Sequence, residues 1–116
     1  MVIAIDPHKV HDYVLKSERT LPKEQQTVFK LRCLTVSQRA EVEDNYSSID
    51  GRLLIGSRQM VTLRHGLAGW ENMLDEAGNK IPFNEKEVEK SIAFLPHRVM
   101  GELVDAIFLL PGGMED

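Results

Sequence analysis

The chain has 116 residues, a length that suits one domain. Apolar residues make up 42% and charged residues 28%, which is ordinary for a globular protein and too apolar for a wholly disordered one. The net charge of −4 comes without a clustered basic stripe, which argues against nucleic-acid binding. A single cysteine, Cys33, excludes an internal disulfide.

The charge is unevenly distributed along the chain. Residues 1–40 carry seven basic and four acidic residues, whereas residues 41–116 carry seven and fourteen. Opposite charges of this kind favour a head-to-tail homo-oligomer, although random variation of surface charge is the simpler interpretation. The sequence has no signal-peptide pattern and no apolar stretch near the ~20 residues of a membrane span, so we expect a soluble protein.

The first part of the chain predicts two strands. Residues 1–11 form a loose N-terminal segment with a turn signal at Asp6-Pro7. The aromatic and β-branched residues at 13–15 and 27–32 predict strands that pair as a hairpin. A lone hairpin is marginally stable in water, so this one must pack against helices.

Two helices are predicted next. Thr35 with Gln38 forms a capping-box pattern before a helix that spans about 37–46. An apolar stripe spaced 3, 4, 3 and 4 predicts a second helix from about Ser57 to about Trp70; its members are Met60, Leu63, Leu67, Trp70 and Leu74. Gly66 and Gly69 within this helix would each cost roughly 1 kcal/mol relative to Ala. We therefore expect them to allow close packing or to end the helix.

The last third predicts a small hairpin near residues 72–83, two further helices and a loose tail. The turn lies at Gly78-Asn79, and Pro82 ends its second arm. Asn84 is the expected N-cap of a short helix to about Phe94. Pro96 opens the last helix, which stops at a tail over 111–116; its apolar face is Val99, Met100, Leu103, Val104, Ile107 and Leu110. The fold class is α+β, mostly helical, in one domain over 1–116.

Chemical motifs are weak. His8 and His11 would share a face on a helix and could bind a metal, but a third ligand is missing and a solvated polar segment explains them equally well. His65 and His97 have no partner nearby in sequence. Cys33 fits a half-buried apolar position better than a nucleophile. The acidic runs at 41–44 and 75–76 are typical of solvated surface rather than of a general acid–base pair; they comprise Glu41, Glu43, Asp44, Asp75 and Glu76.

The order of the motifs resembles that of small proteins from the tail gene modules of long-tailed bacteriophages, described as tail assembly chaperones or minor tail proteins. The resemblance covers roughly 13–110 and is most specific in the segment LRHGLAGWENMLDEAGNKIPF, residues 63–83. It implies a non-enzymatic protein without a cofactor that helps the tail tube polymerise around the helical tape-measure protein.

A protein of this kind would bind other phage tail proteins, not a small-molecule substrate, in the cytoplasm of an infected bacterium. Binding a helical partner needs an apolar groove with charged rims. The candidate interface residues are Trp70, Phe83, Phe108, Leu109 and Met114. For Trp70 the alternative is a core position. Two other functions stay open: a structural component of the virion, such as a minor tail or head–tail joining protein, and a small metal-dependent enzyme that uses His8 and His11.

Overall fold

A computed structural model describes residues 8–46 and 55–110. The expectations for residues 1–7, for the loop after residue 46 and for the tail over 111–116 lie outside this part. The described chain is α+β, as predicted, with more helix than strand. Its elements are β1 His11–Val14, β2 Val28–Leu31, α1 Val36–Tyr46, α2 Ile55–Gly66, β3 Leu67–Glu71, α3 Val88–Ile92 and α4 His97–Phe108.

The three strands form one antiparallel sheet in the order β1-β2-β3. Tyr13 lies opposite Phe29, and Phe29 lies opposite Trp70, so the three rings follow one another across one face. On the other face Lys30 contacts Asp12 at 2.7 Å and Glu71 at 3.7 Å. The hydrogen bond to Asp12 raises the pKa of Lys30 above its usual value.

The second helix was predicted to reach about Trp70, but α2 ends at Gly66 and the chain continues as β3. Leu67 and Trp70 are therefore core residues of a strand, not of a helix. β2 supplies the backbone partners for this strand, which local helical spacing cannot reveal. Both faces of β3 are largely covered, so the segment also lacks the apolar–polar alternation that marks a half-buried strand.

Gly66 permits a close approach between the end of α2 and α4. A Cβ atom at Gly66 would lie 2.6 Å from Ile107 Cδ1 and 3.0 Å from Ile107 Cγ2. Its carbonyl oxygen also accepts a 2.7 Å hydrogen bond from the Arg32 main-chain N–H. Both roles expected for Gly66, close packing and helix ending, are thus met, whereas a Cβ at Gly69 would make only ordinary contacts, the nearest 3.8 Å from Lys30 Cγ.

The capping box of α1 is confirmed. The Thr35 main-chain N–H donates to Gln38 Oε1 at 2.9 Å, and the Gln38 main-chain N–H donates to Thr35 Oγ1 at 3.2 Å. This reciprocal pair satisfies two donors that the first helical turn would otherwise leave open.

The segment predicted as a small hairpin is a tight turn joined by a single bridge between Leu74 and Lys80. The Asp75 carboxylate accepts the main-chain N–H groups of Ala77 and Asn79, and Gly78 adopts φ 85°. The turn therefore requires a left-handed backbone conformation at position 78, which glycine adopts without steric cost. The carboxylate of Asp75 holds the turn and is not simply solvated.

Asn84 does not cap α3. Its side-chain oxygen accepts the main-chain N–H of Lys86, and its own N–H donates to Ser91 Oγ, so Asn84 organises the turn that precedes the helix. The helix itself begins only at Val88, and the position before it is Glu87. A helix cap and an asparagine turn use the same side-chain oxygen, so the local sequence does not distinguish them.

α4 packs the predicted apolar face into the core. All six residues of that face are buried: Val99, Met100, Leu103, Val104, Ile107 and Leu110. A polar contact also ties this helix to the sheet, since the Tyr13 hydroxyl donates to Glu102 Oε2 at 2.6 Å. The same carboxylate oxygen accepts the Lys16 main-chain N–H at 2.9 Å. Burial and, to a smaller extent, the hydrogen bond to Glu102 raise the pKa of Tyr13 to about 12. The same hydrogen bond lowers the pKa of Glu102.

Gly66→Ala should lower the free energy of unfolding by about 1–3 kcal/mol, because the new methyl group overlaps the buried Ile107 side chain. Gly69→Ala is the matched control and should stay within about 0.5 kcal/mol of the parent. Urea unfolding followed by circular dichroism measures both. Ile107→Val, which removes the nearest methyl group, should recover part of the loss in a double variant. Equal stability of the two glycine variants would contradict the close approach.

Between pH 8 and pH 11, the parent should lose more stability than Tyr13→Phe. The folded pKa of Tyr13 lies above its usual value of about 10, so its contribution is complete below pH ~10 and falls as the pH rises through about 12. Denaturant titrations at the two pH values measure the difference. Lys30 is present in both proteins, so its contribution to the pH dependence cancels in the comparison. If both proteins lose stability equally, the Tyr13–Glu102 contact does not contribute.

Candidate interaction surface

The five predicted interface residues have different locations. Trp70 is 7% exposed and belongs to the core, so its side chain does not present a surface. Phe83 and Phe108 are half-buried and pack against the core. Leu109, next to the end of α4, is 66% exposed. Met114 lies outside the described residues.

Trp70 is at the centre of an aromatic group. Its ring meets Phe29 edge-to-face at a centroid distance of 6.5 Å and Phe83 at 5.0 Å. The indole N–H donates to the Ile81 carbonyl oxygen at 2.7 Å. Trp70 thereby fixes the segment after the turn, including Phe83, to the sheet.

A cleft of about 400 Å³ with mixed apolar and polar lining lies between the β1–β2 connection, the residues after β3 and the start of α4. We call it the strand-end cleft. Its apolar lining comes from the sheet, from the residues after β3 and from the α3–α4 junction; the residues are Leu15, Phe29, Met73, Leu74, Leu95, Pro96 and Val99. Leu74 is 51% exposed and is the most accessible of the large apolar side chains among these.

Asn72 holds one wall of the strand-end cleft. Its backbone is left-handed, with φ 62°, a conformation that asparagine tolerates better than most residues. Its side-chain amide donates to the carbonyl oxygens of Glu24 and Gln26, and Thr27 Oγ1 donates to the Asn72 carbonyl oxygen. These contacts join the residues after β3 to the β1–β2 connection. No sequence motif indicates this role for Asn72; the available signal is a residue type suited to left-handed backbone.

Charged side chains accompany the apolar lining. Glu18 and Glu24 come from the β1–β2 connection, and Arg98 comes from the first turn of α4. Glu18 Oε1 accepts the Thr27 main-chain N–H at 2.8 Å, which fixes that carboxylate in place. The lining therefore includes two acidic side chains from the β1–β2 connection and a basic one from α4.

A second charged group joins α1 to α2. Glu41 contacts His65 and Arg64, and Arg64 also contacts Glu89 of α3 at 3.1 Å. The hydrogen bond with His65 holds the pKa of the Glu41 carboxyl below its usual range. The Glu41 side chain is 44% exposed, as expected for helix surface, and it also forms ion pairs. His65 has a partner that only the tertiary structure brings near.

The histidines of the proposed metal site do not lie on a helix. His8 is in a turn and is exposed, whereas His11 is the first residue of β1. Within residues 8–46 and 55–110, no group of three or more His, Cys, Asp or Glu side chains is arranged to hold a metal ion. Cys33 is buried in the apolar core, more deeply than the half-buried position expected for it.

No protein-family model, curated protein or solved structure matches the chain. The likeness to phage tail proteins therefore rests on the short motifs of the sequence. In the part of the chain that the structure describes, none of the helices combines the length and the hydropathy needed to cross a bilayer.

Trp70 fluorescence should report a core position, because this is the only tryptophan in the chain. We expect an emission maximum well to the blue of that of the urea-unfolded protein, and weak quenching by acrylamide, since the ring is buried. The unfolded protein is the control. Quenching of the folded protein as strong as that of the unfolded one would place Trp70 on the surface instead.

Proposed function

We propose that the chain is a non-enzymatic bacteriophage tail assembly protein that binds a helical, apolar-faced segment of the tape-measure protein in the strand-end cleft. The sequence resemblance supplies the biological role, and the apolar lining of the cleft is the observation that supports this mode of binding. A helix that lays its apolar face into such a groove gains affinity from the burial of its anchor residues.

The charges at the cleft favour one kind of partner segment. Glu18 and Glu24 lie on the same connection, whereas Arg98 lies on α4. An amphipathic helix with basic residues along one flank and an acidic residue along the other would be complementary to this arrangement. Because these groups lie near solvent, they would affect the association rate and its salt dependence more than the affinity.

Leu74→Asp should weaken binding of the tape-measure protein at least tenfold, because it places a carboxylate on the apolar lining. Leu74 is half exposed, so the fold should tolerate the change. The matched control is Val36→Asp, at an 83% exposed apolar residue that does not line the cleft. Titration of purified protein with the tape-measure and tail-tube proteins of the same genome gives the dissociation constants.

Failure of the unmodified protein to bind either tail protein would refute the proposed function. Equal binding by the Leu74 and Val36 variants would retain the function but refute the cleft as its site. Mass spectrometry of purified particles distinguishes the alternative of a virion component: an assembly chaperone should be absent from mature particles, whereas a minor tail or joining protein should be present.

A further inference from the structure

Residues 16–26, the central part of the β1–β2 connection, have no buried side chain. Glu18 and Gln26 are half-buried, and the other side chains of the segment are exposed. The nearest buried residues along the chain, Leu15 and Phe29, lie outside it. A segment with few buried apolar contacts opens at a lower free energy than the core does. We call residues 16–26 the strap.

The strap is braced by its own side chains. The Gln26 side-chain amide donates to the main-chain carbonyl oxygens of Glu18 and Leu21 at 3.2 and 3.0 Å. The Glu18 carboxylate accepts the Thr27 main-chain N–H at 2.8 Å. These contacts link the first half of the strap to its second half, so the two halves are expected to move together.

Asn72 holds the second half of the strap to the rest of the protein. Its side-chain amide donates to the carbonyl oxygens of Glu24 and Gln26 at 2.9 and 3.1 Å. Glu24 and Asn72 line the strand-end cleft and also a second cleft of about 380 Å³. The hydrogen-bonded contact therefore borders two clefts instead of lying within packed side chains.

The start of the strap is attached to β1 and α4. The Lys16 main-chain N–H donates to Glu102 Oε2 at 2.9 Å. The Arg19 Nε–H donates to the Val14 carbonyl oxygen at 3.1 Å, and the Arg19 guanidinium lies 5.3 Å from the centre of the Tyr13 ring. Separation should therefore begin at the other end of the strap, where Asn72 supplies the attachment.

We propose that the strap undocks from Asn72 as one braced unit and thereby opens the strand-end cleft. Glu24 and Gln25 line the cleft from the half of the strap that Asn72 holds, so undocking removes both from the lining. An assembly chaperone has to release its bound segment, and undocking provides the route. This use of the strap rests on the proposed function, whereas the undocking itself does not.

The test is amide relaxation-dispersion NMR of the full chain, which detects exchange between conformations on the microsecond-to-millisecond timescale. We expect the amides of Glu18, Leu21 and Gln25 to share one exchange rate, with flat profiles in α4. Asn72→Gly should raise the undocked population about tenfold, because it removes two hydrogen bonds while glycine keeps the left-handed backbone.

Asn79→Gly is the matched control, the same substitution at an exposed position in the turn after β3, and should leave the undocked population unchanged. Gln26→Ala removes the brace, so Glu18 and Gln25 should then exchange at different rates. Three outcomes would overturn the proposal: flat strap profiles in both the parent and Asn72→Gly, different rates for Glu18 and Gln25 in the parent, or equal rates for them in Gln26→Ala.

Binding kinetics test the role of the strap in release. The tape-measure protein should dissociate from Asn72→Gly about tenfold faster than from the parent, measured by surface plasmon resonance. Equal dissociation rates would refute release by the strap. If the parent does not bind at all, the proposed function fails, and the relaxation measurements on the free protein still decide whether the strap undocks.

Discussion

The burial of Trp70 is the contact on which the arrangement of the described chain depends. Its ring joins β2, through Phe29, to the segment after the turn, through Phe83, and its N–H secures that segment at Ile81. Only a large ring with a polar group can fill the core and still bind a backbone carbonyl. This contact adds to the Asn72 hydrogen bonds and the Leu74–Lys80 bridge that also position the segment after β3.

The strand-end cleft is a consequence of that anchoring. Asn72 follows β3 directly, and its left-handed backbone turns the chain towards the β1–β2 connection, which its amide then holds. Met73 and Leu74 are thereby kept beside the apolar residues at the start of α4. The proposed binding surface is thus built on hydrogen-bonded backbone, so a partner would meet a site that is already formed.

Polar contacts join the secondary-structure elements at two separate places. The Tyr13–Glu102 hydrogen bond ties the sheet to α4, whereas Glu41, Arg64 and His65 tie α1 to α2. In the second group Glu41 contacts both Arg64 and His65.

The sequence alone determined the features that depend on neighbours within about four residues. These include the capping box at Thr35, the apolar face of α4 and the left-handed turn at Gly78, because each is set by local hydrogen bonding or helical periodicity. Only the tertiary structure decided that the chain after Gly66 is a strand, that Asn72 forms a cleft wall and that His65 meets Glu41. Their partners lie 24 to 48 residues away in the chain, at separations that no local pattern encodes.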